Sequence, residues 1–435
     1  MLKPIKQNLP EFIKQPLKKI KLGTYDRIRK KQLVMHMAKK HGGLINDIKS
    51  KEKVKVVFLV LHKSVWKVDT VFRRMLDDPY FEPEILVCPF VAYGEDQMLE
   101  EMAQAYEYFK SKGYPVKKSL KEDGSWLKLS ELEPDIVFFT NPHNLTRKEY
   151  YELAYENYLS CYVPYFYLTT THGGDRSIYN HLFHNAMWKI YMPHDYSIKR
   201  AFEVAENKAR NCTLTGYPFC EELFKVTSSA HSSWKYQDKK KKKIIFAPHH
   251  TIEPGELELS NFLAVADMFT ELAVKFEDSV QWAFKPHPIL KMKLYLNSLW
   301  GKDRTNAYYD FWKNRSNTQL EEGEYVDLFI QSDAIIHDCG SFLVEYLLVE
   351  KPCAYLNIAG DLQLKSINEF GHLAMESYRI INKSSDVEGF VLDVISGINI
   401  TSSHRDFIKS EIIPLFVQLK PSEMILKDIK ASIIQ

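Results

Sequence analysis

Four short apolar runs in this 435-residue chain lead into histidine, and those five histidines are the residues best suited to chemistry: His172, His249 with His250, His287, and His337 beside Asp338. Histidine is a general base near neutral pH, and it binds phosphate oxygens when protonated. A lone histidine after a strand is ordinarily structural, whereas several that end strands facing one cleft read as a site. His172 runs into Gly173-Gly174, where a substrate can approach the backbone closely. Lys285 precedes His287 and adds a cation.

The stretch His337-Asp338-Cys339-Gly340-Ser341 follows an apolar strand-like run and precedes Phe342, Leu343, Tyr346 and Leu347 at helical spacing. A strand, a small-residue turn and a helix collect backbone N–H groups and a partial positive charge at one point, which suits a phosphate. An ordinary turn capped by Asp338 or Ser341 is the structural alternative. Glu345 stands one helical turn further on, where it either accepts from a nucleotide ribose or lies on the helix surface. Asp175 and Arg176, just past His172, are candidates for contact with a second substrate.

Positioning these residues requires an α/β frame. Strands are expected at 54–61, 84–89, 136–140, 165–171, 190–193 and 213–218, with helices between them, and the rhythm restarts at 244–248, 280–284, 334–336 and 353–356. The expected layout is a basic helical segment at 1–53, a Rossmann-like domain at 54–225 and a polar, lysine-ending linker at 226–243. A second Rossmann-like domain at 244–385 and C-terminal helices at 386–435 complete it. A mobile-looking segment is expected at about 301–323. Two such domains imply a cleft, with ligands at the carboxyl ends of the strands.

The formal net charge of +2 excludes a chain built as a whole for nucleic acid. Six scattered cysteines without a CxxC pair give neither a zinc knuckle nor a disulfide framework, and point to the cytosol. With no HExxH, no cysteine cluster and no paired carboxylates at ligand spacing, no metal site is expected. No cofactor is expected: GxxxxGK[ST] is absent, as is GxGxxG after the first strand. No signal peptide or spanning segment is expected. Residues 1–53 carry fifteen Lys/Arg against four Asp/Glu, with apolar residues at helical spacing. Such a segment either lies on an anionic membrane surface or packs on the first domain.

Five elements in this order resemble the CDP-glycerol:glycerophosphotransferase family, the teichoic-acid polymerase-like enzymes of GT-B fold. They are Thr171-His172-Gly173, Gly216-Tyr217-Pro218, Phe246-Ala247-Pro248, Lys285-Pro286-His287-Pro288 and Asp338-Cys339-Gly340-Ser341, within 165–356. The resemblance implies transfer of an alditol phosphate from a CDP-alditol to a hydroxyl of a glycan or lipid-linked acceptor, releasing CMP in the cytoplasm or on the inner face of the membrane. It implies His172 as general base and His287, with Lys285, as the charge that neutralises the pyrophosphate. His337, Asp338, Gly340, Ser341 and Glu345 would hold the donor, and His249 and His250 would be secondary cleft residues. Cys339-Gly340 replaces the family's Tyr-Ser, and Gly174-Asp175-Arg176 follows the His-Gly pair where Thr-Pro is usual. Rival readings are a GT-B glycosyltransferase using a nucleotide sugar, a non-hydrolysing UDP-sugar 2-epimerase, and a non-catalytic membrane-associated scaffold.

Overall fold

The computed structural model describes residues 11–92, 94–171, 174–224, 232–253, 255–257, 259–358, 360, 364–397 and 402–434, with side chains from residue 25 onward. Near-continuous apolar runs become strands buried on both faces. Val54–Val60 forms β1, and only Lys55 in it is partly exposed. Phe58 of β1 stacks on Phe138 at 4.7 Å, a burial contributing about 1.5–3 kcal/mol for such a side chain. The first sheet continues through β2 (Phe81–Val87), β3 (Val116–Lys118), β4 (Ile136–Phe139), β5 (Leu159–Tyr162), β6 (Lys189–Met192) and β7 (Cys212–Leu214). Its order is β3-β2-β1-β4-β5-β6-β7, and every pairing is parallel.

The second sheet repeats the plan with β8 (Lys242–Ala247), β9 (Val280–Phe284), β10 (Thr318–Leu320), β11 (Ala334–His337), β12 (Cys353–Leu356) and β13 (Arg379–Ile381). Its order is β10-β9-β8-β11-β12-β13, again parallel throughout. In each sheet the chain leaves its first strand in one direction and later returns on the other side. That makes β1/β4 and β8/β11 the topological switch points, where α/β sheets open a crevice for ligands.

Three sequence expectations change. The fourth strand is Leu159–Tyr162 rather than 165–171. Residues 165–171 instead cross towards the second domain, where Thr170 and Ile367 form one antiparallel bridge. Pro164 has no N–H to donate, and Leu168 turns the chain at φ +53°, so a ladder cannot run through this segment. The stretch 301–323 is ordered by the helix Gly301–Asn314 and by β10, because Tyr308, Tyr309 and Trp312 are buried against the second core. The helix after the 337–341 turn is one turn long, Phe342–Glu345, followed by the 3₁₀ turn Leu347–Val349.

The termini tie the domains together. The helix Pro421–Ile434 returns to the first domain, where Asp428 accepts from the Tyr191 hydroxyl at 3.1 Å and Lys430 pairs with Asp78 at 2.5 Å. Gly216, at φ +77°, is needed here: a Cβ would lie 3.2 Å from Pro421 Cγ. The helix Glu11–Ile48 lays Met37 and Ile48 on the first domain and leaves Tyr25, Ile28 and Met35 exposed. No helix among the described residues is long and apolar enough to cross a membrane.

Candidate active site

The carboxyl ends of β8, β9 and β11 meet at one wall of an interdomain cleft of about 1280 Å³. His249, His250, Lys285, His287, Gly340 and Ser341 all line it. The rings of the three histidines lie 4.1, 4.4 and 5.2 Å apart between centroids. Parallel pairing sets this: Lys285 N–H donates to Phe246 O at 2.8 Å and His287 N–H to Pro248 O at 3.1 Å, which carries β9 beside the end of β8.

Asp338 organises the wall from beneath. Its carboxylate accepts from the backbone N–H groups of His249 and Asn261, each at 2.6 Å, and from Asn261 Nδ2 at 3.3 Å. Burial raises its pKa to about 6 despite those bonds. Asn261 also donates to Leu356 O at 3.0 Å and accepts from Ile358 N–H at 2.9 Å, linking β8, β11 and β12. His337 is likewise enclosed: its Nδ1 accepts from Cys339 N–H at 3.1 Å, and burial lowers its pKa to about 3. Neither residue reaches the cleft, so the sequence expectation of direct donor contact gives way to support of the turn.

Glu345 is also buried, beside Tyr325, whose hydroxyl donates to it. The Lys67 ammonium of the first domain donates to the same Tyr325 hydroxyl and lies 4.1 Å from the Phe219 ring centroid. Glu345 therefore joins a chain of contacts between the domains instead of standing open for a ribose. Burial pushes its carboxyl pKa up and the Lys67 pKa down.

His287 Nδ1 accepts from Ile289 N–H at 3.2 Å, so its neutral ring carries its own proton on Nε2 and is a donor. Burial, then His250, His249, Lys285 and Lys293, hold its pKa well below the usual histidine value. The Lys285 ammonium donates to Gly323 O at 2.8 Å and Glu321 O at 3.2 Å, and burial lowers its pKa to about 8. One ring nitrogen from each of the three histidines falls within 4.8 Å of the others, a spacing at which a cation can be held. The His287 tautomer and the two neighbouring lysines fit an anion better, since a ligand nitrogen must be unprotonated.

His172 and Gly173 lie outside the described residues. The segment leading to them is fixed by the second domain: Thr171 N–H donates to Ser366 O at 2.8 Å and Asn368 N–H to Thr169 O at 2.9 Å. Asp175 is paired with Arg200 and, like Arg176, does not line the cleft. Sequence reasoning missed His62 and its partner Glu101, which line the opposite wall. His62 carried the same signal as the others, a histidine straight after a strand; Glu101 carried none.

No protein family matches the sequence, and neither does any curated protein. Solved structures do match. The chain is similar to a histidine-to-asparagine variant of the wall teichoic acid polymerase TagF, at 13% identity and a TM-score of 0.53, over 97% of this chain and 99% of that one. The same variant soaked with CDPG matches over 94% and 99%, with the same identity and TM-score. MnaA of S. aureus, solved with UDP, matches at 15% identity and a TM-score of 0.53, over 88% of this chain and 96% of that one. At such identities the likeness shows the fold alone. Two parallel Rossmann-like domains facing one cleft, in company with these enzymes, give this chain the GT-B fold.

Proposed function

We propose that this chain transfers an alditol phosphate from a CDP-alditol, with glycerol or ribitol as the alditol, to an acceptor hydroxyl in cell-surface polymer synthesis. The observation that carries this reading is the wall on which His249, His250, His287 and Lys285 stand beside the Gly340-Ser341 turn, a surface rich in hydrogen-bond donors. The full-length likeness to TagF supports it. An epimerase reading finds less support, because the catalytic carboxylates it calls for are not evident in the sequence.

In this reading the acceptor oxygen attacks the β-phosphorus of the donor, the P–O bond to the α-phosphate breaks, and CMP leaves. His172 takes the hydroxyl proton, the role its family resemblance implies. His287 donates from Nε2 to the diphosphate, and Lys285 adds charge. Fixed donors of this kind are usually the largest catalytic contribution, and removing one costs roughly 10²- to 10³-fold. Gly340 lets the turn approach the first domain, and so brings the donor and acceptor walls together. The basic helix, with Tyr25 and Ile28 exposed, rests on an anionic membrane surface, and removal of residues 1–50 is expected to lower sedimentation with anionic liposomes.

A thermal-shift panel of CDP-glycerol, CDP-ribitol, UDP-sugars, CMP and UMP tests the donor class. A bound nucleotide at a hundredfold excess over its Kd adds about 2.7 kcal/mol. Preference for the cytidine compounds supports this reading; preference for UDP-sugars favours the glycosyltransferase alternative.

A further inference from the structure

His62 is the second residue past the end of β1, at the β1/β4 switch point of the first sheet, and the proposed chemistry leaves it unused. Its Nδ1 lies 3.1 Å from Glu101 Oε2, and Glu101 Oε1 accepts from Gln97 Nε2, also at 3.1 Å. An ionised carboxylate can only accept, so the Nδ1 position carries a proton, and in the neutral ring Nε2 keeps its lone pair. The His62 ring packs edge-on against Phe90 with centroids 4.3 Å apart, which fixes its plane. Both side chains line the cleft and keep part of their surface open, 19% for His62 and 30% for Glu101. The hydrogen bond from His62 is the first cause holding the Glu101 carboxyl below its usual pKa.

The two walls therefore present opposite hydrogen-bonding faces. His287 offers an N–H, as an anion requires. His62 offers a lone pair backed by a negative charge, which repels an anion and suits a neutral hydroxyl. We propose that His62, oriented by Glu101, forms a binding subsite for a hydroxyl of a polyhydroxylated acceptor, an alditol chain or a sugar. This deepens the transferase reading and rests on it for the word acceptor. His62 Nε2 accepts the hydrogen bond, and Glu101 acts as a positioning residue by holding the tautomer.

The test uses the full chain with ¹⁵N-labelled histidine, observed by imidazole NMR and titrated separately with ribitol and with inorganic phosphate. His62 is expected in the Nδ1–H tautomer, with ribitol moving its Nε2 signal and phosphate moving those of the 249, 250 and 287 rings. In Glu101→Gln, which keeps shape and size, the tautomer preference and the ribitol response should both be lost. His62 found as the Nε2–H tautomer, a response to phosphate in place of ribitol, or an undiminished ribitol response in Glu101→Gln would each overturn the proposal. In turnover assays the same variant should raise KM for the acceptor by roughly three- to tenfold with a smaller change in kcat, the scale of one hydrogen bond. An equal KM would also contradict it. If no cytidine donor is turned over, the transferase reading fails, and the NMR arm still decides the hydroxyl subsite.

Discussion

Thr169 of the first domain donates its hydroxyl to the Gly340 carbonyl of the second at 2.7 Å, and this bond joins the two walls of the cleft at the Gly340-Ser341 turn. A Cβ on Gly340 would come within 2.5 Å of Thr170 Cγ2. Gly340→Ala is therefore expected to destabilise the chain by about 1–3 kcal/mol, the usual cost of overpacking. Adding Thr170→Ser, which removes that methyl, should restore most of the loss. Denaturant unfolding of the double-mutant cycle checks it, and additive effects would contradict the contact.

Lys67 and Glu345 share Tyr325 across the domain boundary, both buried. Lys67→Met leaves an uncompensated buried carboxylate and is expected to cost about 3–5 kcal/mol. Combining it with Glu345→Gln should recover a large part, measured by urea unfolding. A single variant as stable as the parent would show that the pair does not hold the domains.

Lys285 has a pKa of about 8 in the fold, below the ordinary lysine value because of burial. It is a cation at neutral pH and neutral well above 8. Affinity for a nucleoside diphosphate is therefore expected to fall as pH rises through about 8, and Lys285→Met should flatten that limb. The sign for stability is opposite. The unfolded chain binds the proton more tightly, so this group favours the fold increasingly as pH rises from about 8 towards the unfolded lysine value. Calorimetric titration of CDP across pH 6.5–9.5, spanning about 1.5 units either side of that pKa, reads the first effect.

In the proposed reading the three-histidine wall holds an anion, since His287 Nδ1 is occupied by the Ile289 N–H. Treatment with EDTA is expected to leave nucleotide affinity and turnover unchanged. Recovery of activity by added zinc after chelation would reverse that assignment.

Much of the frame was legible because parallel strands buried on both faces need unbroken apolar runs, as in Val54–Val60 and Val280–Phe284. The three-residue edge strands β3, β10 and β13 escaped, being too short to show a pattern. Residues 165–171 read as a strand because they are extended and aromatic; Pro164 and the pull of the second domain at Ser366 and Asn368 turned them into a bridge. The histidines at strand ends came from topology alone, and His249, His250 and His287 do share one wall. Burial was not legible: Asp338, His337 and Glu345 carry functional residue types but sit under the site, and the partners that hold Asp338 and Glu345 there lie far off in sequence. The glycine at 340, where the resemblance puts a serine, has its reason in the methyl of Thr170.

Release of CMP is the most direct measurement. Purified full-length chain, incubated with CDP-glycerol or CDP-ribitol and a polyhydroxylated acceptor, is predicted to release CMP. His287→Ala should lower the rate by roughly 10²-fold or more while the protein stays folded. Release of UDP from UDP-sugars with no CMP from either cytidine donor, or a His287→Ala chain keeping more than about a tenth of the rate, would contradict the account.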